Sequence, residues 1–331
     1  MTLVSVIVPV HNRRTLIGAT LRSVLAQTYP TVELLVIDDG SDDGTADEVA
    51  SIFGTTLRLI RLPTNHGRSA ARNVGWAEAR GDLVAFLDSD DLWAPDKLAR
   101  QVPCFTDPGV ALVMCRIGVV DAAGLPLAAE SAEIARACDA ADGRGYDYGG
   151  VTETWCRMYT STVVVRRRLL EASGGFDARL ANFEDWDLFW RITRQGRVVA
   201  LPDALVQYRR HRGNTPMRWV QDAEPWLYVM RKHLAALDAS DDAPVLRRAR
   251  HNLLLNLSLG EYWRGDRRAS RRWMWRALRE NLRPLGRAGH PVWSAPLFSA
   301  FFPARVSDWL VRVLGVDAYR VDRAPFDEAS S

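Results

Sequence analysis

Cysteine is scarce in this chain, and its shortage narrows what the protein can be. The 331 residues contain only four cysteines, Cys104, Cys115, Cys138 and Cys156. They form no Cys-x-x-Cys pair, and none has a histidine partner at the spacing of a zinc site. The pattern therefore disfavours a disulfide framework and structural zinc, and it favours a reducing compartment.

Long apolar runs are also missing. Hydrophobic residues make up 47% of the chain, but its longest apolar stretch, near residues 292–302, is interrupted by proline and polar residues and is too short to cross a bilayer. The first residues enter a strand-like pattern at once, without the basic segment, apolar core and cleavage site of a signal peptide. These features predict a cytoplasmic protein, soluble or peripheral at the inner face of the cell membrane.

Basic charge comes almost entirely from arginine, and it is unevenly distributed. Lys97 and Lys232 are the only lysines, a composition that favours a GC-rich bacterial source. Residues 1–204 hold 21 Lys+Arg against 27 Asp+Glu, whereas residues 205–331 hold 22 against 13. A basic second part suggests an anionic partner, such as a membrane surface or a phosphorylated carrier. No nucleic-acid-binding motif accompanies this charge, so we do not expect nucleic acid as a partner.

Apolar runs and helical periods alternate over the first hundred residues. The strand-like runs lie at 4–10, 32–37, 57–62 and 83–87. Strands separated by helices imply right-handed crossovers, so the sequence predicts an α/β fold with a doubly wound, mostly parallel sheet and helices on both faces. The chain then turns helical, and we predict a domain boundary between residues 214 and 215, with a helical C-terminal extension over 215–331.

Carboxylates follow one of these strands directly, at Asp88, Asp90 and Asp91. In open α/β sheets the ligand crevice lies beyond the carboxyl ends of the strands. Neighbouring carboxylates repel one another, and a divalent cation with oxygen ligands relieves that repulsion. A diphosphate is a suitable further ligand for such a cation. The alternative is a solvated acidic turn.

Two further acidic motifs stand at comparable places. Asp39 ends the second predicted strand, where it can accept hydrogen bonds from a nucleobase or ribose, or cap its own loop in an Asx turn. Glu184, Asp185 and Asp187 open an aromatic-rich helix. The helix dipole favours an ionised carboxylate there, which is the state that a general base requires. The alternative is ordinary helix capping.

With the motifs in this order, the chain resembles the family-2 glycosyltransferases, a large inverting group with a GT-A fold. The resemblance rests on VIVPVHN at 6–12, VIDDGSDDGT at 36–45, NHGRSAARN at 65–73, LDSDD at 87–91 and EDWDL at 184–188. It implies that residues 1–214 form a GT-A domain that moves a sugar from a nucleotide diphosphate donor, with UDP favoured, using Mn²⁺ or Mg²⁺. The implied acceptor is a glycan or a lipid-linked glycan of bacterial cell-surface polysaccharide synthesis.

The resemblance also assigns roles to individual residues, with Asp185 as the catalytic base. The other implied site residues are Pro9, His11, Asp39, Arg68, Arg72 and Asp88 for nucleotide and donor, Asp90, Asp88 and His211 for the metal, and Glu184, Trp186 and Asp187 on the acceptor side. Two alternatives stay open. Arg72 can instead pair with an aspartate at the edge of the core, and His211 can belong to a solvated basic turn.

The second part of the chain is rich in arginine and tryptophan over residues 261–283. Trp263, Trp273 and Trp275 supply amphipathic rings among the arginines, which is typical of a helix lying on an anionic bilayer. The alternative is a helical hairpin packed on the catalytic domain with a solvated arginine face.

Other functions compete with transfer. A glycoside hydrolase also uses paired carboxylates but needs no nucleotide pocket. A dinucleotide oxidoreductase is disfavoured, because the first strand–helix turn lacks a Gly-x-Gly-x-x-Gly motif. A catalytically degenerate transferase fold that binds glycans or acts as a scaffold is the remaining alternative.

Overall fold

The structure is a computed structural model that describes residues 1–137, 145–146, 150, 152, 158–211, 213–214, 221–237 and 243–280. The chain divides into two units, Met1–Asn214 and Thr215–Ser331. The predicted apolar stretch at 292–302 and the last residues of the arginine-rich segment lie outside the described residues. The functions predicted for the two parts of the chain remain predictions.

The described part of the first unit is built on a nine-stranded sheet. Its strands are β1 (Val4–Val10), β2 (Val32–Asp39), β3 (Arg58–Leu62), β4 (Leu83–Phe86), β5 (Leu92–Trp93), β6 (Val110–Val120), β7 (Gly145–Tyr146), β8 (Val164–Arg166) and β9 (Arg197–Arg209). The order across the sheet is β3-β2-β1-β4-β8-β6-β9-β5, and β7 pairs with β9.

Strand directions differ between the two halves of this sheet. β1 pairs in parallel with β2 and β4, and β2 pairs in parallel with β3. β8 runs antiparallel to both β4 and β6, whereas β6 and β9 are parallel to each other. The predicted α/β class is confirmed, and the antiparallel pairings of β5, β7 and β8 are added to it. Parallel pairing of consecutive strands needs a crossover, usually a helix, and the sequence lacks that regular alternation after β4.

Helices connect the strands of the first unit. They are α1 (Arg14–Leu25), α2 (Thr45–Phe53), α3 (Arg68–Ala77), α4 (Lys97–Gln101), α5 (Ala128–Ala137), α6 (Arg167–Ser173) and α7 (Glu184–Thr193). All seven residues of β1 are buried. Helix α3 lies close to this strand at Gly75, where an added Cβ would come within 2.4 Å of Ile7 Cγ2. Arg72 stands three residues before Gly75, so it shares the buried face of the helix.

The second unit contains three described helices, α8 (Ala223–Ala235), α9 (Pro244–Arg264) and α10 (Arg267–Glu280). α9 packs against both of the others. Its side chains Leu253, Leu254 and Leu257 are fully buried, and Trp226 Nε1 of α8 donates to the backbone oxygen of Asn256 at 3.2 Å. Among the described helices, none combines the length and apolar character that crossing a bilayer requires.

Helix α10 has two distinct faces. Its buried residues, Ala269, Ser270, Met274, Ala277 and Leu278, are small or apolar. Its exposed residues are Arg268, Arg272, Trp275, Arg276, Arg279 and Glu280. Glu280 pairs with Arg250 at 3.0 Å, so the exposed charge of the helix is mainly basic. The helix is thus packed in a hairpin on one side and basic on the other.

Candidate active site

The carboxyl ends of β1 and β2 form the first part of the candidate site. His11 Nδ1 lies 2.9 Å from the backbone oxygen of Asp39, and the backbone N–H of Asn12 donates to Ser41 Oγ at 2.9 Å. Pro9 is buried in β1 opposite Ile37. Asn12 has a φ of 52°, in the left-handed region that non-glycine residues seldom adopt. The structure therefore brings His11 and Asp39 together, as expected of residues at neighbouring strand ends.

Asp39 is engaged by the protein itself. Its side chain is buried, Oδ1 accepts the backbone N–H of His66 at 2.8 Å, and Oδ2 accepts that of Gly67 at 2.8 Å. These bonds hold the turn that leads into α3. The contact of Asp39 with a nucleobase remains a prediction.

Arg68, at the start of α3, is 44% exposed and lies 3.7 Å from Glu184 Oε1.

Arg72 joins two carboxylates from different elements. Its guanidinium is 2% exposed, and it donates to Asp88 Oδ1 at 2.7 Å and to Glu184 Oε1 at 2.9 Å. It also lies 5.3 Å from the ring centre of Phe176. Burial would lower the pKa of Arg72, but Asp88, Glu184 and Asp185 together outweigh it and raise that pKa. The arginine thus connects the end of β4 to the start of α7. This ion pair with Asp88 is the geometry expected of the alternative in which Arg72 pairs with an aspartate at the edge of the core.

Asp90 contacts two cationic or ligating side chains. His211 Nε2 lies 2.9 Å from Asp90 Oδ2, and Arg13 Nε lies 3.7 Å from the same oxygen. Arg13 also donates to the backbone oxygen of Gly213 at 3.2 Å, which ties the His211 loop to the start of α1. Asp88, the third predicted metal ligand, pairs instead with Arg72. Within the described ranges, no group of three or more His, Cys, Asp or Glu residues is arranged to hold a metal ion.

Asp91 is buried directly behind this cluster. Its Oδ2 accepts a hydrogen bond from Ser161 Oγ at 2.6 Å, and its Oδ1 accepts the backbone N–H of Arg209 at 3.2 Å. Burial, together with the nearby Asp90 and Asp88, raises the pKa of Asp91 well above its usual range. Sequence analysis assigned no separate role to Asp91, although this residue completes the run of carboxylates after β4.

Arg209 belongs to the basic run at residues 208–212, in which the sequence allows an arginine to meet a phosphate without showing which one. Its side chain is 5% exposed, and its Nε and Nη2 are buried without a hydrogen-bond partner among the described residues. Burial lowers its pKa, and the nearby Asp90 and Asp91 act in the opposite direction. A buried guanidinium with free donors can bind an anionic ligand by donating hydrogen bonds to it. This basic run, which begins within β9, was the sequence signal for it.

Asp185 lies at the start of α7 with both carboxylate oxygens held. Oδ1 accepts the backbone N–H of Trp186 at 2.8 Å, and Oδ2 accepts a hydrogen bond from Thr160 Oγ1 at 3.1 Å. Burial and the neighbouring Glu184 raise its pKa to about 7, while Arg72 and the two hydrogen bonds act against this rise. The helix dipole therefore does not outweigh burial and Glu184, and the pKa of the Asp185 carboxyl lies near neutral pH.

Phe183, immediately before this helix, has a φ of 63°. A left-handed conformation costs free energy for a bulky side chain and occurs mainly where the surrounding structure enforces it. Phe183 and Asn12 are the two non-glycine residues of the described chain with a positive φ, and both border the candidate site.

The predicted acceptor side is mostly inside the protein. The carboxylate of Asp187 has no exposed surface and accepts hydrogen bonds from Arg191 Nη2 at 2.7 Å and Nε at 3.1 Å. Trp186 is 7% exposed and contacts the ring of Phe183 edge to face and the tilted ring of Trp190. Glu184 is bound to Arg72. The acceptor-side role of Asp187 therefore stays a prediction. In the structure its carboxylate binds Arg191, which also donates to the backbone oxygen of Gly175 at 2.8 Å in the turn before the helix. Glu184 and Trp186 likewise offer little surface.

The chain matches two models of one family. The model described as Glycosyl transferase family 2 matches residues 5–166, and the model described as Glycosyltransferase like family 2 matches residues 145–247. Together they cover the strands, the carboxylate motifs and helix α7.

Curated relatives agree with the family models. An uncharacterized glycosyltransferase of Nostoc sp. is 30% identical over 221 residues, covering 65% of this chain and 66% of the relative. The Escherichia coli enzyme WfgD, named as a UDP-Glc:alpha-D-GlcNAc-diphosphoundecaprenol beta-1,3-glucosyltransferase, is 42% identical over 100 residues, covering 30% of this chain and 40% of the relative. The putative teichuronic acid biosynthesis glycosyltransferase TuaG of Bacillus subtilis is 38% identical over 127 residues, covering 38% and 50%. The matched segments span less than two thirds of these relatives.

Solved structures share the fold over nearly the whole chain. Residues 1–349 of TarS from S. aureus superpose with a TM-score of 0.63 at 20% identity, covering 98% of this chain and 91% of that one. The mannosyltransferase PcManGT of Pyrobaculum calidifontis, solved with GDP-Man and Mn²⁺, superposes with a TM-score of 0.59 at 19% identity, covering 96% and 81%. The chain therefore belongs to the family 2 glycosyltransferases and has their GT-A fold.

Proposed function

We propose that this protein is a metal-dependent inverting glycosyltransferase of bacterial cell-surface polysaccharide synthesis. Its first unit transfers a sugar from a nucleotide diphosphate donor, with a UDP-sugar favoured, to a hydroxyl of a glycan or lipid-linked acceptor. One observation carries the proposal. Arg72 bonds Asp88 on the donor side and Glu184 beside Asp185, so a base with a pKa of about 7 stands next to the strand-end carboxylates.

Asp185 supplies the proton acceptor in this reaction. The acceptor hydroxyl loses its proton to the carboxylate as its oxygen attacks the anomeric carbon, and the bond to the diphosphate breaks on the opposite side. This single displacement inverts the configuration. A base whose pKa lies near the working pH combines the correct charge state with a useful driving force for proton transfer, and general base catalysis contributes a factor of about 10² to 10⁴.

Asp90 and His211 are suited to hold Mn²⁺ or Mg²⁺. Their ligating atoms lie 2.9 Å apart, and neither side chain is fully buried. Both metals prefer oxygen ligands and are commonly bound by one or two carboxylates together with substrate phosphates. Because the described residues offer fewer than three metal ligands here, the diphosphate of the donor can supply further ligands. When bound, the ion supplies Lewis-acid stabilisation of the negative charge that builds on the leaving diphosphate.

Two arginines are placed to share that charge. Arg209 has two buried donors without a protein partner among the described residues, and Arg13 already lies 3.7 Å from Asp90. Guanidinium groups bind phosphate oxygens through charge-assisted and often bidentate hydrogen bonds. We assign Arg209 to the diphosphate and keep His11, Pro9 and Asp39 as the nucleotide pocket.

The names of the relatives favour particular substrates. WfgD is named for UDP-Glc and a diphosphoundecaprenol-linked acceptor, and TarS has been solved with UDP and with UDP-GlcNAc. PcManGT has been solved with GDP-Man, which keeps GDP as the competing nucleotide. We therefore propose a UDP-sugar donor and an acceptor carried on a lipid diphosphate.

A lipid-linked acceptor gives the basic face of α10 a role. Arg268, Arg272 and Arg276 recur at helical spacing on the exposed face, and Trp275 beside them is 45% exposed. We propose that this face rests on an anionic bilayer, where each arginine near the surface contributes about 1 kcal/mol.

Sedimentation with phosphatidylglycerol vesicles tests this contact. We expect binding at low salt that is lost when these three arginines become glutamine. A triple variant of Arg58, Arg61 and Arg179 to glutamine changes net charge equally and should still bind. Equal binding by both triple variants would show that this face of α10 does not make the membrane contact.

Calorimetric titration of UDP and GDP, with and without Mn²⁺, tests the proposed function. We expect UDP to bind tightly only with metal, and the Asp90→Asn variant to lose that binding. If neither nucleotide binds under any condition, the transferase proposal fails and a scaffold role takes its place.

A further inference from the structure

A short turn before β8 contacts both halves of the candidate site. Thr160–Thr162 form one turn of 3₁₀ helix, and all three residues are buried. Thr160 Oγ1 donates to Asp185 Oδ2 at 3.1 Å. On the next residue, Ser161 Oγ donates to Asp91 Oδ2 at 2.6 Å and accepts the backbone N–H of Asp88 at 3.1 Å. Two adjacent hydroxyls therefore bond the base and the strand-end aspartates.

The backbone of this turn is fastened to the core. Gln101 Nε2 donates to the backbone oxygen of Thr162 at 2.8 Å, and Trp93 Nε1 donates to that of Ser161 at 2.9 Å. Lys97 is fully buried, donates to Gln101 Oε1 at 2.6 Å, and lies 3.9 Å from the ring centre of Trp93. The carbonyl side of the turn is thus held firmly, so its hydroxyls have little freedom to move.

We propose that Thr160 is a positioning residue for Asp185, and that Ser161 on the same turn positions the aspartates that follow β4. The turn then sets the placement of the base relative to the donor site. Arg72 makes a second, charged connection between the same two elements. This inference rests on the proposed function for its catalytic meaning, whereas the effect of Thr160 on Asp185 can be measured without any substrate.

The physical role of Thr160 follows from the groups around Asp185. Glu184 is the negative group facing it and Arg72 the positive one, with Asp88 on the far side of Arg72 and Arg68 near Glu184. A hydroxyl that donates to a carboxylate favours its ionised form. Thr160 therefore opposes burial and Glu184, and it fixes the direction of Oδ2.

Carbon-13 NMR of the full chain labelled at aspartate carboxyls tests this role. The Asp185 resonance is identified by its loss in Asp185→Asn, and its pH titration is compared among variants. Thr160→Val keeps the shape but removes the donor, so we expect its midpoint to rise by about 0.5 to 1 pH unit, the size of one hydrogen bond. Thr160→Ser restores the donor and should return the midpoint toward that of the natural chain.

Thr162→Val is the matched control. Thr162 is buried in the same turn, but its hydroxyl donates to the backbone oxygen of Tyr159 at 2.7 Å and bonds no carboxylate among the residues that the structure describes. We expect its Asp185 midpoint to match the natural chain. The proposal is overturned if Thr160→Val titrates like the natural chain, or if Thr162→Val moves the midpoint equally.

Titration of UDP with Mn²⁺ separates the two hydroxyls. We expect Thr160→Val to bind UDP like the natural chain, and Ser161→Ala to bind it several-fold more weakly with an unchanged Asp185 midpoint. An Asp185 midpoint shifted equally by Ser161→Ala would overturn the assignment. If the natural chain binds no UDP, the proposed function fails, while the NMR comparison still decides whether Thr160 controls Asp185.

Discussion

Replacing Arg72 with methionine is the sharpest perturbation that the structure offers. The guanidinium is 2% exposed and bonds Glu184, itself 4% exposed, and Asp88, which is 39% exposed. Methionine fills much of the same space beside Phe176 but carries no charge. The substitution therefore leaves Glu184 as a buried carboxylate without its closest cation.

The expected cost comes from the buried partner. Removing one member of a buried ion pair destabilises a protein by about 3 to 5 kcal/mol, because the other charge stays desolvated. Asp88 regains water and adds only about 0 to 1 kcal/mol, as for exposed pairs. The sum is a large share of the roughly 5 to 15 kcal/mol that stabilises a typical domain.

Arg68→Met is the matched control for this experiment. Arg68 approaches the same oxygen of Glu184 at 3.7 Å, but its side chain is 44% exposed. Solvent screens such a contact, so we expect its loss to cost at most about 1 kcal/mol. The two variants remove the same charge near the same carboxylate and differ in burial.

Urea unfolding of the full chain measures both costs from the transition midpoints. We expect Arg72→Met to lower the midpoint far more than Arg68→Met, and a second substitution, Glu184→Gln, to recover part of the loss. Equal midpoints for Arg72→Met and Arg68→Met would refute the reasoning. So would a double variant that is less stable than Arg72→Met alone.

Three further predictions concern the charges of the site. Asp185 has a pKa of about 7 against an ordinary value of 3.8 for an aspartate, so its neutral form favours folding and this stability is lost as pH rises from 3.8 through 7. Asp185→Asn should therefore raise the melting temperature at pH 8 and not at pH 3.5, and an equal change at both pH values would contradict this. His211→Ala should raise the Mn²⁺ concentration that half-saturates UDP binding, and an unchanged concentration in a calorimetric titration would assign His211 to a basic turn. Arg209→Met should weaken UDP binding by about tenfold or more and leave uridine binding unchanged, as expected for the loss of charge-assisted hydrogen bonds of about 1.5 to 3 kcal/mol. Equal weakening of UDP and uridine binding would show that Arg209 does not bind the diphosphate.

The fold and the acidic motifs could be predicted because they depend on local patterns. The apolar run at β4 and the carboxylates after it stand together in the sequence, and the rule that sites lie beyond strand ends connects them. The division near residue 214 also agrees with a change in pattern from strands to helices.

The partners of those carboxylates could not be predicted in the same way. Arg72 and Glu184 are 112 residues apart, and only the packing of α3 and α7 brings them together. Residues 128–137 form α5 although their apolar residues show no strong helical period, because weak periodicity in an alanine-rich segment does not prevent a helix. The hydroxyls of the turn at Thr160 gave no signal, since serine and threonine are common at helix starts for other reasons.

The central claim is that Asp185 acts as the base in a transfer from a bound nucleotide sugar. The most direct test compares Asp185→Asn with the natural chain in two assays, calorimetric binding of UDP with Mn²⁺ and sugar transfer from a panel of UDP-sugars to a lipid diphosphate acceptor. The account predicts nucleotide binding within about threefold and a loss of transfer of at least about 10²-fold, the contribution of a general base. Transfer by Asp185→Asn at a rate near that of the natural chain would contradict it.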